Sequence, residues 1–349
     1  MSERAASYVE ALHEAVDQEM ARDPAVVCFG LDVDDPKAIQ GTTRGLAEKY
    51  GRERVFGTPL SEDAMTGVAI GMALAGLRPI HVHIRMDFLL LAMNQLVNIA
   101  AKASYMFGGQ VHVPLVVRSM IGKSWGQGAQ HSQGLYSFFM HVPGLKVAAP
   151  TNPHDAKGCL VAAIRDDNPV LMVEHRLLYP HRGPLPEPPY ELPPGRARVA
   201  AAGADVTLVG VSHALIECLR ARRHLEAVGV AAEVIDPIWL APLDFDTIAA
   251  SAARTGRLVA VDNGWTTCGA GAEIVARVAE RLAGVRDLRV TRLGFAPTPC
   301  PPSPPLEKLF YPDARTIAAA AFDLIEGRAT GWMPDERSDD VDIEFRGPF

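Results

Sequence analysis

Short apolar runs alternate along the first half of the chain with longer segments whose apolar residues recur at helical spacing. The apolar runs, predicted to be buried strands, lie at 26–29, 55–56, 80–84, 114–118, 146–149 and 170–174. The segments with helical spacing lie at 4–22, 66–75, 89–104 and 154–165. Apolar strands separated by helices are typical of a parallel sheet that is covered on both faces. The pattern therefore predicts an α/β fold.

A proline-rich stretch divides the chain. Proline recurs so often between 180 and 195 that neither a helix nor an interior strand is expected there, and we interpret 180–198 as an extended linker. A second α/β pattern follows. Its predicted strands lie at 206–210, 232–236, 258–261 and 288–293, and its helices at 212–227, 245–254, 269–283 and 313–326. The predicted organisation is a first domain at 1–179, the linker, a second domain at 199–326 and an acidic tail at 327–349.

Composition and charge narrow the class of protein. A chain of 349 residues is long enough for two domains, and its net charge of −7 does not favour a nucleic-acid partner. No apolar stretch is long enough to cross a membrane, and the N-terminal residues lack the pattern of a signal peptide. The five cysteines lie far apart, which is typical of small buried side chains in a reducing compartment. We therefore expect a cytoplasmic protein with no membrane or nucleic-acid partner.

Glu62 stands immediately before a stretch of small and apolar residues at 66–76, which predicts a helix that packs closely against another backbone. A carboxylate at the start of a helix is stabilised by the helix dipole. In apolar surroundings it also needs a partner with which to share a proton. Glu62 is therefore a candidate acceptor for a ring nitrogen of a cofactor, and the alternative is a helix-capping role after Ser61.

Further motifs follow Glu62 in a characteristic order. Phe88 ends the run Arg-Met-Asp-Phe before the predicted helix 89–104, and His131 begins His-Ser-Gln after a glycine-rich approach. The runs 143–150 and 153–158 follow. Together they resemble the beta subunit of the thiamine-diphosphate-dependent first component of 2-oxoacid dehydrogenase complexes, of the pyruvate, branched-chain and acetoin types. The likeness extends from about residue 26 to residue 324.

The resemblance implies a transketolase-like pyrimidine-binding domain followed by a transketolase C-terminal domain. It also implies that Glu62 hydrogen-bonds N1′ of the aminopyrimidine and favours the tautomer that removes the proton from C2 of the thiazolium. Leu60 and Phe88 would contact the cofactor, and His131 would face the thiazolium and the substrate. Without the resemblance, Phe88 is equally an ordinary core aromatic and His131 a surface histidine.

Metal sites are also implied by the resemblance. Ala163, Asp166 and Asn168 match the loop in which the family binds a monovalent cation, usually potassium, and Leu115 would add a backbone carbonyl. The alternative for this segment is a simple turn. His81 and His83 would point to one face of a strand, but no third ligand is nearby, so we expect them to be packing or interface residues.

The diphosphate side of the cofactor site is missing from the sequence. The family's Gly-Asp-Gly signature for Mg²⁺ and the diphosphate does not occur in this chain. The resemblance therefore implies that an alpha-type subunit supplies the Mg²⁺ ligands, with the two subunits forming an α2β2 heterotetramer.

Three functions remain open. The first is decarboxylation of a 2-oxoacid with acyl transfer to lipoamide, which implies a lipoyl acyltransferase as a further partner. Departures from the family pattern, such as Val82 where the family commonly has Glu, suggest a second function: a two-component transketolase-like enzyme with another acceptor. The third function is that of a non-catalytic scaffold subunit.

Overall fold

The computed structural model describes residues 4–123 and 126–335, which form two units. Unit 1 contains 4–123 and 138–194, and unit 2 contains 126–137 and 195–335. Segment 126–137, which carries His131, therefore belongs with the C-terminal half of the chain. Most of the predicted acidic tail, 336–349, lies outside the described residues.

The strands and helices of the chain up to residue 194 alternate as the hydrophobic pattern predicts. The strands are β1 Arg4–Ser7, β2 Val26–Gly30, β3 Val55–Gly57, β4 Arg78–His83, β5 Val116–Ile121, β6 Lys146–Ala148, β7 Val170–His175 and β8 Arg182–Leu185. The helices are α1 Tyr8–Arg22, α2 Leu46–Tyr50, α3 Glu62–Leu74, α4 Met86–Leu89, α5 Ala101–Met106, α6 Ser137–Met140 and α7 Pro153–Arg165.

The main sheet of unit 1 contains the neighbouring strands β6-β7-β5-β4-β2-β3, and each of these pairs is parallel. Every residue of β2, β5 and β7 is buried, because helices cover both faces of a parallel sheet. The prediction of a parallel α/β sheet is confirmed. The chain leaves β2 for β3 and returns to β4 on the other side of β2, so the strand order reverses there.

Two helices differ in detail from the predicted ranges. The helix predicted at 4–22 begins only at Tyr8, because Ser7 and Glu10 form a capping box and β1 pairs with β8 ahead of it. The helix predicted at 89–104 is composite. It continues from α4 through a 3₁₀ turn at Leu90–Ala92 and a π-helical segment at Asn94–Ala100 into α5. Long π-helical segments are rare and are frequently found at functional sites.

Unit 2 has a smaller sheet. The strands of this unit are β9 Arg198–Ala201, β10 Val206–Gly210, β11 Ala232–Asp236, β12 Trp239–Ala241, β13 Arg257–Trp265 and β14 Arg289–Phe295, and β12 is not part of this sheet. Its helices are α8 Ala214–Glu226, α9 Phe245–Thr255, α10 Ala270–Leu282, α11 Pro304–Glu307 and α12 Ala314–Glu326. The sheet order is β14-β13-β10-β11-β9. β9 is antiparallel to β11, and this edge strand was not predicted because it directly follows the proline-rich stretch.

A fully buried ion pair lies inside the sheet of unit 1. Arg118 on β5 and Glu174 on β7 are both inaccessible to solvent, and their side chains form two hydrogen bonds of 2.6 and 3.0 Å. The Tyr179 hydroxyl donates a further hydrogen bond of 2.8 Å to Glu174. Burial lowers the pKa of Arg118, but the charge and hydrogen bonds of Glu174 raise it by more, so the guanidinium stays charged.

Candidate active site

Glu62 is the first residue of α3 and is half-buried. The preceding Ser61 makes no side-chain capping hydrogen bond. Within the part of the chain that the structure describes, the Glu62 carboxylate has no hydrogen-bond or ion-pair partner. A capping-box glutamate would stand at the third helical position, as Glu10 does in α1, so the geometry does not support the capping alternative. The carboxylate is available to a ligand.

Glu62 and Phe88 both follow the carboxyl end of a strand of the same parallel sheet. Glu62 comes after β3 and Phe88 after β4, on either side of the point where the strand order reverses. Ligands of open parallel sheets bind outside the carboxyl ends of the strands at such a point. The two segments also touch, since Gln95 donates a hydrogen bond of 3.1 Å to Asp63.

Apolar side chains around these segments are exposed. Leu60, two residues before Glu62, is 82% exposed. Further exposed apolar side chains lie on α3 and on the composite helix after Phe88; they are Val68, Leu74, Leu90, Leu91 and Ile99. Exposed apolar side chains on two elements that pack against each other are typical of an interaction surface.

Two buried histidines lie beneath α3. His83 is 3.4 Å from the Thr66 hydroxyl, one helical turn after Glu62, and its ring meets that of His81 edge-on with centroids 4.3 Å apart. His81 also stacks on Phe29 at 4.7 Å. Burial lowers the pKa of His81 to about 4, while burial and the neighbouring His81 lower that of His83 well below its usual range. Both rings therefore pack as neutral groups at pH 7.

His81 should make the stability of the fold sensitive to acid. Between pH 6.5 and about 4 the unfolded chain protonates His81 and the folded chain does not, so the free energy of unfolding falls as the pH falls. Each pKa unit corresponds to about 1.4 kcal/mol. We expect His81→Leu to reduce the loss of stability between pH 7 and 5 by about 2 kcal/mol in urea titrations. The exposed His112, changed to leucine, is the control, and an equal fall in both variants would contradict the prediction.

Arg85 is a candidate site residue that the sequence analysis did not single out. It follows β4 three residues before Phe88 and is half-buried. Its Nη1 donates to the Ile84 carbonyl at 3.1 Å, but its buried Nε has no hydrogen-bond partner among the described residues. Burial lowers its pKa, and the nearby Asp87 opposes this effect. A guanidinium with unused donors can bind an anion, and the sole signal in the sequence is its place at the end of an apolar strand.

His131 is half-buried in a loop of unit 2. Gly126 and Gly128, ahead of it, have φ values of +69° and +72°, a conformation that favours glycine. The structure thus groups Glu62, Leu60 and Phe88 within unit 1, whereas His131 lies among residues of unit 2.

The predicted cation loop already contacts two protein cations. Lys146 forms an ion pair with the Asp166 carboxylate, and Arg78 donates to the Asp166 carbonyl at 2.9 Å. The carbonyls of Leu115 and Ala163 each accept one backbone N–H. These carbonyls retain a second lone pair for an ion, but the carboxylate does not act as a free ligand. Residues 4–123 and 126–335 contain no group of three or more His, Cys, Asp or Glu side chains suited to a metal ion.

The two halves of the chain match two domains of known enzymes. Residues 4–182 match the transketolase pyrimidine-binding domain, and residues 195–317 match the transketolase C-terminal domain. A solved split-gene transketolase, an inactive beta4 tetramer, shares the fold with a TM-score of 0.73 and 23% identity, over 92% of this chain and 98% of that one. The chain is therefore built from the two domains of a transketolase-type enzyme.

Relatives of higher sequence identity show the family to which this chain belongs. The beta subunit of acetoin:2,6-dichlorophenolindophenol oxidoreductase from Cupriavidus necator is 42% identical, over 91% of this chain and 96% of that protein. The mitochondrial pyruvate dehydrogenase E1 component subunit beta-1 of Arabidopsis thaliana is 41% identical, over 89% of this chain and 87% of that protein. This chain belongs to the family of beta subunits of thiamine-diphosphate-dependent 2-oxoacid dehydrogenases, which act with an alpha-type partner.

No helix in the described parts of the chain is both long and apolar enough to span a bilayer.

Proposed function

We propose that this chain joins an alpha-type subunit in an α2β2 heterotetramer that binds thiamine diphosphate and decarboxylates a 2-oxoacid. The observation that carries the proposal is the Glu62 carboxylate at the N-terminus of α3, which has no hydrogen-bond or ion-pair partner among the described residues. Leu60, two residues before Glu62, is exposed, and the half-buried Phe88 follows the carboxyl end of β4 at the same edge of the sheet. An unpaired acid with apolar neighbours fits an aminopyrimidine ring.

The protein's own residues would perform four tasks. Glu62 would share a proton with the ring nitrogen, Leu60 and Phe88 would pack against the ring, and His131 would donate a hydrogen bond to the substrate. When bound, thiamine diphosphate supplies the electron sink for decarboxylation. Arg85 would bind the substrate carboxylate, because its buried Nε has no hydrogen-bond partner among the described residues and it lies in the connection that carries Phe88.

The metals and the location remain proposals. Mg²⁺ would be bound by the alpha-type subunit. Potassium would use the free lone pairs of the Leu115 and Ala163 carbonyls and the backbone near Asp166 and Asn168. A cytoplasmic location is supported by the widely separated cysteines, although the Arabidopsis relative is named mitochondrial.

The acceptor of the acyl group separates two versions of this function. A lipoyl acyltransferase gene beside this one would favour lipoamide, and its absence would favour the two-component transketolase-like alternative. The direct experiment is to purify the chain with its alpha-type subunit and to assay a panel of 2-oxoacids with an artificial electron acceptor. Lipoamide and an aldehyde acceptor are then compared. Failure to decarboxylate any 2-oxoacid would favour the scaffold alternative.

Leu60 should contribute to binding of the alpha-type subunit. We expect Leu60→Asp to weaken co-purification at least tenfold, because an aspartate would be buried without a partner in an apolar interface. Leu309→Asp is the matched control, since Leu309 is 77% exposed in unit 2. Dissociation constants from light scattering or surface plasmon resonance provide the measurement, and equal binding of both variants would contradict this role.

Arg85 should affect substrate binding more than turnover. Arg85→Met is expected to raise KM for the 2-oxoacid about 10- to 100-fold, the size of a lost charged hydrogen bond. Arg85→Lys keeps the charge but loses the planar fork, so an intermediate KM is expected. Steady-state kinetics of the reconstituted complex test this prediction, and an unchanged KM in Arg85→Met would refute it.

A further inference from the structure

The loop that carries His131 is attached to unit 2 at both of its ends. A Cβ atom at Gly126 would overlap the carbonyl oxygen of Pro302, and one at Gly134 would overlap that of Asn263. Backbone thus meets backbone directly at these two positions. Asn263 is itself held, because its side chain donates a hydrogen bond of 2.6 Å to the Val211 carbonyl. The loop therefore rests on a well-defined surface of its own unit.

A buried tyrosine and a buried aspartate complete the attachment. The Tyr136 hydroxyl donates a hydrogen bond to the Asp262 carboxylate, and the two residues are 0% and 1% exposed. The second oxygen of Asp262 accepts the backbone N–H of Gly271 at 2.9 Å. Gly271 lies in the first turn of α10, where the helix dipole favours a negative charge. Asp262 thereby connects the end of β13, the start of α10 and the His131 loop.

The pKa of Tyr136 is such that its hydroxyl keeps the proton that this hydrogen bond needs. Burial raises the pKa of Asp262, while the Tyr136 hydroxyl and nearby backbone N–H groups oppose that rise. Burial and the Asp262 charge raise the pKa of Tyr136 well above its usual value, so the hydroxyl keeps its proton. Tyr136 therefore remains a hydrogen-bond donor at pH 7.

We propose that Tyr136 and Asp262 form a positioning pair that sets the conformation in which the loop presents His131. The proposal rests on the catalytic role proposed above for His131. Tyr136 follows His131 by five positions, and Ser132, Gly134 and Leu135 between them are buried. The backbone that connects the two residues therefore has little freedom to move. Unit 2 then contributes to the reaction both His131 and the pair that holds the loop of His131 in place.

The test compares Tyr136→Phe with His131→Ala in the reconstituted complex. Tyr136→Phe removes only the hydroxyl, and Tyr50→Phe is the matched control, because the Tyr50 hydroxyl also hydrogen-bonds an aspartate, Asp17, at 2.8 Å in unit 1. We expect Tyr136→Phe to lower kcat about tenfold, to leave KM nearly unchanged and to speed hydrogen exchange across 126–137. Asp262→Asn should also lower kcat and speed hydrogen exchange across 126–137. Tyr50→Phe should change neither kcat nor this exchange.

A double variant shows whether the loss of kcat in Tyr136→Phe acts through His131. If Tyr136 acts through His131, Tyr136→Phe will not lower kcat further in the His131→Ala background. An equal further loss there, or unchanged exchange and turnover in Tyr136→Phe, would overturn the positioning pair while the role of His131 stood. Full turnover in His131→Ala would instead overturn the role of His131, and the positioning proposal with it.

Discussion

Replacing Glu62 by glutamine is expected to lower the turnover of the reconstituted complex by about 10²- to 10⁴-fold, the usual contribution of a general acid–base group. Glutamine has nearly the same shape but cannot share a proton with a ring nitrogen. The Glu62 carboxylate has no hydrogen-bond or ion-pair partner among the described residues, so assembly and thermal stability should not change. The measurement is 2-oxoacid decarboxylation with an artificial electron acceptor, with size-exclusion chromatography to confirm the heterotetramer.

Asp63→Asn is the matched control for this experiment. Asp63 lies next to Glu62 in the same helical turn and is exposed, and the change removes the same charge from the helix N-terminus. It should retain nearly full turnover. Normal turnover in Glu62→Gln would support the scaffold function, whereas low turnover in both variants would point to a general effect of charge at the start of α3.

Replacing Glu174 by glutamine is expected to destabilise the fold by about 3–5 kcal/mol, the usual cost of removing one partner of a buried ion pair. Arg118 would keep its charge with no counter-charge in a fully buried position, and its Nη1 already lacks a hydrogen-bond partner among the described residues. Urea unfolding of the isolated chain measures the effect.

Two comparisons show whether burial causes the loss. Asp246→Asn removes the acid of an exposed pair with Arg281, in which the side chains are 83% and 69% exposed, and should cost less than about 1 kcal/mol. The double variant Arg118→Met, Glu174→Met should recover much of the stability, because both charges are removed together. A loss in Glu174→Gln as small as that in Asp246→Asn would show that the buried pair contributes little.

The hydrophobic pattern predicted most of the fold because the apolar run that identifies a buried strand is a local feature of the sequence. The parallel sheet follows from apolar runs separated by helices, and the main strands lie within a few residues of their predicted limits. The pattern did not predict β9 or the π-helical segment at Asn94–Ala100. An edge strand next to prolines and a change in helical hydrogen bonding have no distinct hydrophobic period.

The candidate site was only partly predictable, because some of its features depend on contacts between residues that are distant in the sequence. Glu62, Phe88 and His131 were predicted as candidates from short motifs, each made of residues that are adjacent in the sequence. Arg85 was not predicted as a candidate because the feature that singles it out is a buried Nε with no hydrogen-bond partner in the part of the chain that the structure describes, and the sequence does not show this. Tyr136 and Asp262 are 126 positions apart, and their contact depends on how unit 2 folds.

The sequence by itself determined the α/β class, the family and the presence of a carboxylate at the start of a small-residue helix, because each of these depends on neighbouring residues. Only the tertiary structure decided that the Glu62 carboxylate finds no hydrogen-bond or ion-pair partner within 4–123 and 126–335, and that the His131 loop belongs to unit 2. These properties arise from contacts between distant segments, where burial and hydrogen bonding determine which polar groups remain available.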